Sequence, residues 1–156
     1  MDSRFIVWLS TTPPFMWFVR HIASPLDPLI FRATNGRLTS FGPPALPMLT
    51  LTAIGRRSGR PRSVHLACVE RDGDHLVVAS AMGQSKHPGW SYNLEANPDV
   101  QVQTYGESFA ATAQRLTEDE KRDVWPDIRR AIPQITVYEK RTARDIRVFR
   151  LSRVRP

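Results

Sequence analysis

Asp72-Gly73 lies between two runs of strand-forming residues and constrains the fold more than any other dipeptide in the chain. A two-residue turn of this composition takes left-handed conformations that match the twist of paired strands, so its flanks are joined as an antiparallel hairpin. Residues 63–71 (SVHLACVER) and 75–80 (HLVVAS) are its expected strands. With Arg71 paired to Asp74, each further pair steps outward by one residue, and Ser80 falls opposite His65. The loop after Ser80 is then expected beside Arg62 and Ser63, at the sheet edge that also carries the preceding turn. Upstream, Leu49, Leu51 and Ala53 alternate with Thr50 and Thr52, the period of a half-buried strand, and residues 55–61 form the turn. Downstream, residues 100–105 and 108–116 predict a second hairpin across Gly106.

Helical signals fall between and after these strands. Residues 88–96 read as a short helix closed by Asn97-Pro98. Thr117 and Glu120 form a capping box for a helix whose Val124, Ile128 and Ala131 share one face. Pro126 is expected to kink or restart it. Residues 134–142 predict a further helical segment and 145–154 a last strand. Five or six antiparallel strands with short flanking helices imply a mostly β (α+β) fold, a small barrel or curled sheet.

A chain of 156 residues is the size of one domain. It divides into an N-terminal helical, proline-rich segment (1–46) and a barrel with helices (47–156). Residues 15–22 (FMWFVRHI) read as a short apolar helix, and residues 29–32 add another turn. Packing against the domain is the leading reading. The alternative is an interfacial anchor, because Trp8, Trp17 and Phe18 lie among Arg4, Arg20 and His21.

The net charge of +7 invites an anionic partner: nucleic acid, membrane headgroups or a phosphorylated ligand. Arginines 141, 144, 147, 150 and 153 recur every third residue, which lines one face of neither a strand nor a helix. A nucleic-acid stripe is therefore not supported, and these arginines read as a solvated edge. The single cysteine, Cys68, excludes an intrachain disulfide and a multi-cysteine zinc site, and reads as a buried, inert thiol. The hairpin register pairs His75 with Glu70 rather than with His65, so no metal site is expected. No apolar run approaches the ~18 residues of a membrane span. A cytoplasmic location is expected, with peripheral contact at the inner face of the membrane as the variant.

The chemistry concentrates in the first turn, Gly55-Arg56-Arg57-Ser58-Gly59-Arg60-Pro61-Arg62. Its glycines let backbone N–H groups approach a ligand. Its arginines supply rigid donor forks suited to phosphate and carboxylate. Across from it are expected Ser80, Gly83, Ser85, Lys86 and the start of the helix near Pro88, whose free N–H groups also favour an anion. No P-loop, dinucleotide fingerprint or nucleophilic serine elbow occurs.

With these residues in place, the chain resembles the deazaflavin-dependent nitroreductases and quinone reductases, which use coenzyme F420. The similarity lies in LTAIGRRSGRPRSVHL (51–66), DGDHLVVAS (72–80), GQSKHPGWSYNLEANPDVQVQ (83–103) and the helix around Trp125-Pro126. It implies a split β-barrel of the flavin/F420-binding type. It also implies a coenzyme site contacted or shaped by Arg56, Arg57, Ser58, Arg62, Ser80, Gly83, Pro88, Trp90 and Asn93. Many relatives carry lysine where this chain has Ala81. Their tyrosine-rich substrate cover is replaced here by Ile132 and Ile135, with Tyr138 keeping its hydroxyl. The implied activity is hydride transfer from reduced F420 to a quinone, activated alkene or nitro compound. Ser80 would hold the reacting ring, and Tyr138 or water would give the proton. An FMN-binding oxidoreductase of the same fold, a non-catalytic F420 carrier and a small nucleic-acid binder are the competing readings.

Overall fold

A computed structural model of the chain describes residues 46–155 together with Leu26, Leu29, Ile30, Ala33 and Thr34; the apolar segment 15–22 lies outside the described residues. Six strands are present: β1 (Met48–Ile54), β2 (Pro61–Arg71), β3 (Asp74–Val78), β4 (Asp99–Thr104), β5 (Glu107–Arg115) and β6 (Val148–Arg153). Among the described residues from 46 on, three helices accompany them, α1 (Gly89–Ala96), α2 (Glu118–Ala131) and α3 (Ile135–Arg141), with a 3-10 turn at Ala81–Gly83. The strands close into an antiparallel barrel in the order β1-β2-β3-β6-β5-β4. Leu29, Ile30 and Ala33 are helical, in keeping with the turn expected near residue 29. Among the described residues no helix is long and apolar enough to cross a membrane.

The hairpin behaves as its turn dictates. Asp72 and Gly73 both take left-handed φ, 53° and 84°. The ladder steps from Arg71–Asp74 through Glu70–His75 and Val69–Leu76 to Cys68–Val77. It stops there. β3 ends at Val78, two residues short of the expected Ser80, so Ser80 does not pair with His65. β2 is shared along its length instead: residues 61–67 pair with β1, and Cys68–Arg71 pair with β3. Among the described residues the first half of β2 therefore borders a split in the hydrogen-bond ladder beyond the end of β3.

Two apolar clusters flank the barrel wall. Inside lie Leu49, Leu51, Ala53, Cys68, Val77, Val102, Phe149 and Leu151, with Trp90 packed against them. Outside, α2 and α3 lay Val124, Ile128 and Ile135 on Val69, Leu76, Val78 and Val148. Because both faces of β3 are covered, its run from His75 to Val78 is buried throughout instead of alternating. Thr117 and Glu120 cap α2 reciprocally: Thr117 Oγ1 accepts from Glu120 N at 3.3 Å, and Glu120 Oε2 accepts from Thr117 N at 2.9 Å. Pro126 does not restart α2, which runs unbroken to Ala131. Pro126 is exposed, so the carbonyl it leaves without a helical donor lies on the solvent side, while buried Val124 and Ile128 hold the helix.

Cys68 faces the interior, and burial pushes its thiol up to about 12, with Glu70 adding to the shift. The thiolate is the reactive form. Iodoacetamide at pH 8 is expected to label Cys68 only after denaturation; labelling of the native protein at the rate of a free thiol would contradict this burial.

Candidate active site

Antiparallel order places the β1–β2 turn and the exit of β3 at the same end of the barrel. Within the turn, Gly55 N donates to Arg60 O and Gly59 N to Gly55 O, both at 2.8 Å. Gly59 has φ +63°, and a Cβ on Gly55 would fall 2.6 Å from Ser58 Oγ. Arg57, Ser58, Arg60 and Arg62 are all exposed on this tight loop.

Among the described residues no hydrogen bond or ion pair joins the turn to the 79–83 loop, and α1 contacts both the turn and the 79–87 loop. Arg56 N donates to Asn93 Oδ1 at 3.1 Å, and the Arg56 guanidinium lies 4.6 Å from the centre of the Tyr92 ring. Arg147 lies 4.8 Å from the same ring and bonds Glu95 at 3.0 Å. His87 meets Tyr92 edge-on at 5.9 Å, which carries the contact into the loop. Arg56 and Asn93 therefore seat the turn on α1. Pro88 is the N-cap of α1, and its carbonyl accepts from Ser91 N and Ser91 Oγ. Trp90 packs its ring 5.8 Å from Phe149 on the core, shaping α1 from beneath.

Ser80 is half-buried with helical backbone angles, and after it three residues take left-handed φ: Ala81 at 46°, Met82 at 55° and Gly83 at 76°. For residues with a Cβ this conformation costs roughly 1–2 kcal/mol each. Gly83 is buried against α3: a Cβ there would fall 2.7 Å from Arg141 Cβ and 3.0 Å from the Tyr138 carbonyl oxygen. Gly83 thereby sets the distance between the loop and Tyr138. Burial raises the Tyr138 phenol above its usual range, which keeps its proton on through neutral pH. Ile132 and Ile135, at the positions of the tyrosine-rich cover, are buried in the outer cluster and serve packing.

Charge is distributed unevenly over this surface. Arg71, Arg115, Arg122, Arg129, Arg130, Arg147, Arg150 and Arg153 each have a carboxylate within 4 Å. Among the described residues no ion pair involves Arg56, Arg57, Arg60 or Arg62. Four cations on one glycine-hinged turn, with no ion pair among the described residues, have donor forks suited to an anion. A groove of about 520 Å³ between α2 and residues 142–146 is different: its Lys121, Arg129, Glu139 and Asp145 are paired with one another or their neighbours.

The sequence reading missed His87, Tyr92, Arg144 and Arg147. The period-three arginines are not a solvated edge. Arg147 joins Glu95, Arg150 joins Glu120 and Asp74, and Arg153 joins Glu107, while Arg144 reaches the 79–87 loop. Arg141 lies in α3 and β6 begins only at Val148, so their spacing crosses three kinds of backbone and carries no period.

His87 Nδ1 lies 3.2 Å from Arg144 Nη1, and because a guanidinium only donates, the imidazole nitrogen accepts. Burial, then Arg147 and Arg144, hold the His87 pKa below 6.5, with Asp145 opposing. The unfolded chain binds this proton more readily than the folded one, so stability falls as pH drops below about 6.5 towards the folded pKa. Melting temperature measured from pH 7.5 to 5.5 should fall for the wild type and fall less for His87→Gln; parallel profiles would remove His87 as the cause.

The fold is a split barrel of the flavin/F420-binding type, and its arginine turn suits an anionic ligand. The chain belongs to the F420H(2)-dependent quinone reductase family, whose sequence model matches residues 28–152. It is 36% identical over 144 residues to an F420H(2)-dependent quinone reductase of Mycobacterium tuberculosis H37Rv, covering 88% of this chain and 96% of that one. A solved F420-H2 dependent reductase superposes with TM-score 0.63 at 36% identity, over 68% of this chain and 94% of the other. A second solved chain, described as a domain-swapped dimer, gives TM-score 0.65 at 34% identity, over 83% and 100%.

Proposed function

We propose that this chain reduces quinones with F420H2 in the split beside the first half of β2, between the arginine turn, the 79–87 loop and α3. The observation that carries this reading is the set of four arginines on the 55–62 turn, for which no ion pair is found among the described residues. Arg57, Arg60 and Arg62 would hold the phosphodiester and carboxylates of the coenzyme tail, while Arg56, Pro88, Trp90 and Asn93 fix the wall behind it. Ser58 sits at the tip of the same turn, where its Oγ accepts from Arg60 N and braces the loop. Bound F420H2 supplies a hydride, and a quinone that takes it together with one proton becomes the quinol. Ser80 and Gly83 orient the reacting groups, and Tyr138 holds a proton beside them.

The deciding experiment mixes the protein with F420H2 and a menaquinone analogue and follows reoxidation of the coenzyme by its absorbance. Quinone-dependent reoxidation is expected. Tight F420 binding without turnover of any quinone, nitro compound or cyclohexenone would make the chain a carrier; preference for FMN in a tryptophan-quenching titration would replace the coenzyme. The N-terminal segment, with Trp8, Trp17 and Phe18 among basic residues, is proposed to touch the membrane that dissolves such quinones. Flotation with anionic vesicles at low salt tests this: protein remaining in the dense fraction would end that part of the reading.

A further inference from the structure

We propose that Arg144 is the positioning residue of the coenzyme site, a single guanidinium that fixes the 79–87 loop in the shape the pocket requires. This rests on the coenzyme-site reading above. Arg144 Nη2 donates to Ser80 O at 2.7 Å and to Ala79 O at 3.1 Å, and Nε donates to Gln84 O at 2.8 Å. Nη1 donates to His87 Nδ1 at 3.2 Å and to Asp145 O at 3.1 Å. A guanidinium carries five N–H groups, and each here has an acceptor.

The acceptors explain the choice of side chain. β3 ends at Val78, so the carbonyls of Ala79 and Ser80 lie beyond its ladder; Ser80 O accepts from Gly83 N at 2.9 Å within the loop, and Arg144 adds a second donor to it and a donor to Ala79 O. One planar fork satisfies both and reaches the far limb of the same loop at Gln84 and His87. It thereby closes a ring around Ala81, Met82 and Gly83, whose left-handed backbone is also tied by Gly83 N to Ser80 O and Gln84 N to Ala81 O. The loop is anchored at its base by Ala79 N, which donates to Arg147 O at 2.8 Å, so residues 144–147 grip it twice. Lysine cannot substitute, because an ammonium offers three donors at one point and cannot span acceptors on both limbs.

Positioning and charge are separable. Arg144→Lys keeps the cation, and Arg144→Ala removes both. If positioning is the role, both variants retain a cooperative melt and exchange the amides of residues 80–87 faster than the wild type, with the barrel strands unchanged. Both bind F420 at least about 10-fold more weakly, the loss of about one charge-assisted hydrogen bond to the coenzyme. Free guanidinium ion restores slow exchange and affinity to Arg144→Ala. Wild-type exchange in the loop of either variant overturns the proposal. So does F420 affinity restored by lysine, which would make charge the whole effect, or faster exchange spread over the strands, which would make Arg144 a general stabiliser. Loop exchange needs no coenzyme, so wild-type protein that fails to bind F420 would sink the coenzyme reading while Arg144 is still judged by its amides.

Discussion

Replacing Arg57 and Arg62 together by alanine is expected to weaken F420 binding by about 100-fold or more while leaving the melting temperature nearly unchanged. A hydrogen bond to a charged group contributes about 1.5–3 kcal/mol, and about 1.4 kcal/mol is a tenfold change in affinity, so each lost fork accounts for roughly tenfold to a hundredfold. The folded protein has little to lose. Both side chains are exposed, and no ion pair involves either among the described residues, so the substitutions remove repulsion within the turn as well as packing. Surface changes of this kind usually lie within about 0.5 kcal/mol of neutral. Quenching of tryptophan fluorescence on titration with F420, beside thermal melts, separates the two effects. Raising the salt concentration should cut wild-type affinity more than that of the double variant, because fewer charges remain to be screened. Unchanged affinity in the double variant would mean that the coenzyme tail lies elsewhere.

Gly83→Ala is expected to be among the most damaging single substitutions in the loop, for two additive reasons. Its φ of +76° is strained for any residue with a Cβ, at roughly 1–2 kcal/mol. The new methyl would also meet Arg141 Cβ at 2.7 Å and the Tyr138 carbonyl at 3.0 Å, where α3 must shift. Overpacking of this kind costs about 1–3 kcal/mol. Gly106→Ala is the control, because Gly106 has φ +81° but nothing within 4 Å of its would-be Cβ. Urea unfolding should show a loss of roughly 1–2 kcal/mol for Gly106→Ala and more for Gly83→Ala. Coenzyme affinity should fall only in Gly83→Ala, because only there is α3 displaced from the loop. Equal losses in the two variants would show that the contact with α3 does not limit stability.

The strands were legible because their causes are local. Asp72-Gly73 specifies its own turn, and alternation at Leu49, Leu51 and Ala53 specifies a face, whatever the rest of the chain does. The capping box is equally local: Thr117 and Glu120, three positions apart, satisfy each other. The end of β3 was not legible. HLVVAS reads as strand to its last residue, yet the chain turns left-handed after Ser80, held there by contacts with α3 and residue 144. Pro126 was half legible for a related reason: the local rule allowed a kink or a restart, and α2 runs on without a restart, with Val124 and Ile128 buried on either side of the proline.

The arginine turn belongs to the sequence, since its glycines and charges are set at fixed spacing within eight residues. What faces that turn was decided only in three dimensions. The partners of Arg144 lie 57 to 65 positions away along the chain, apart from its neighbour Asp145. Tyr92 sits between Arg56 and Arg147, which are also far apart in sequence. A guanidinium looks the same in a sequence whether it is solvated or holds a loop closed, because its role depends on acceptors that only the closed barrel brings within reach.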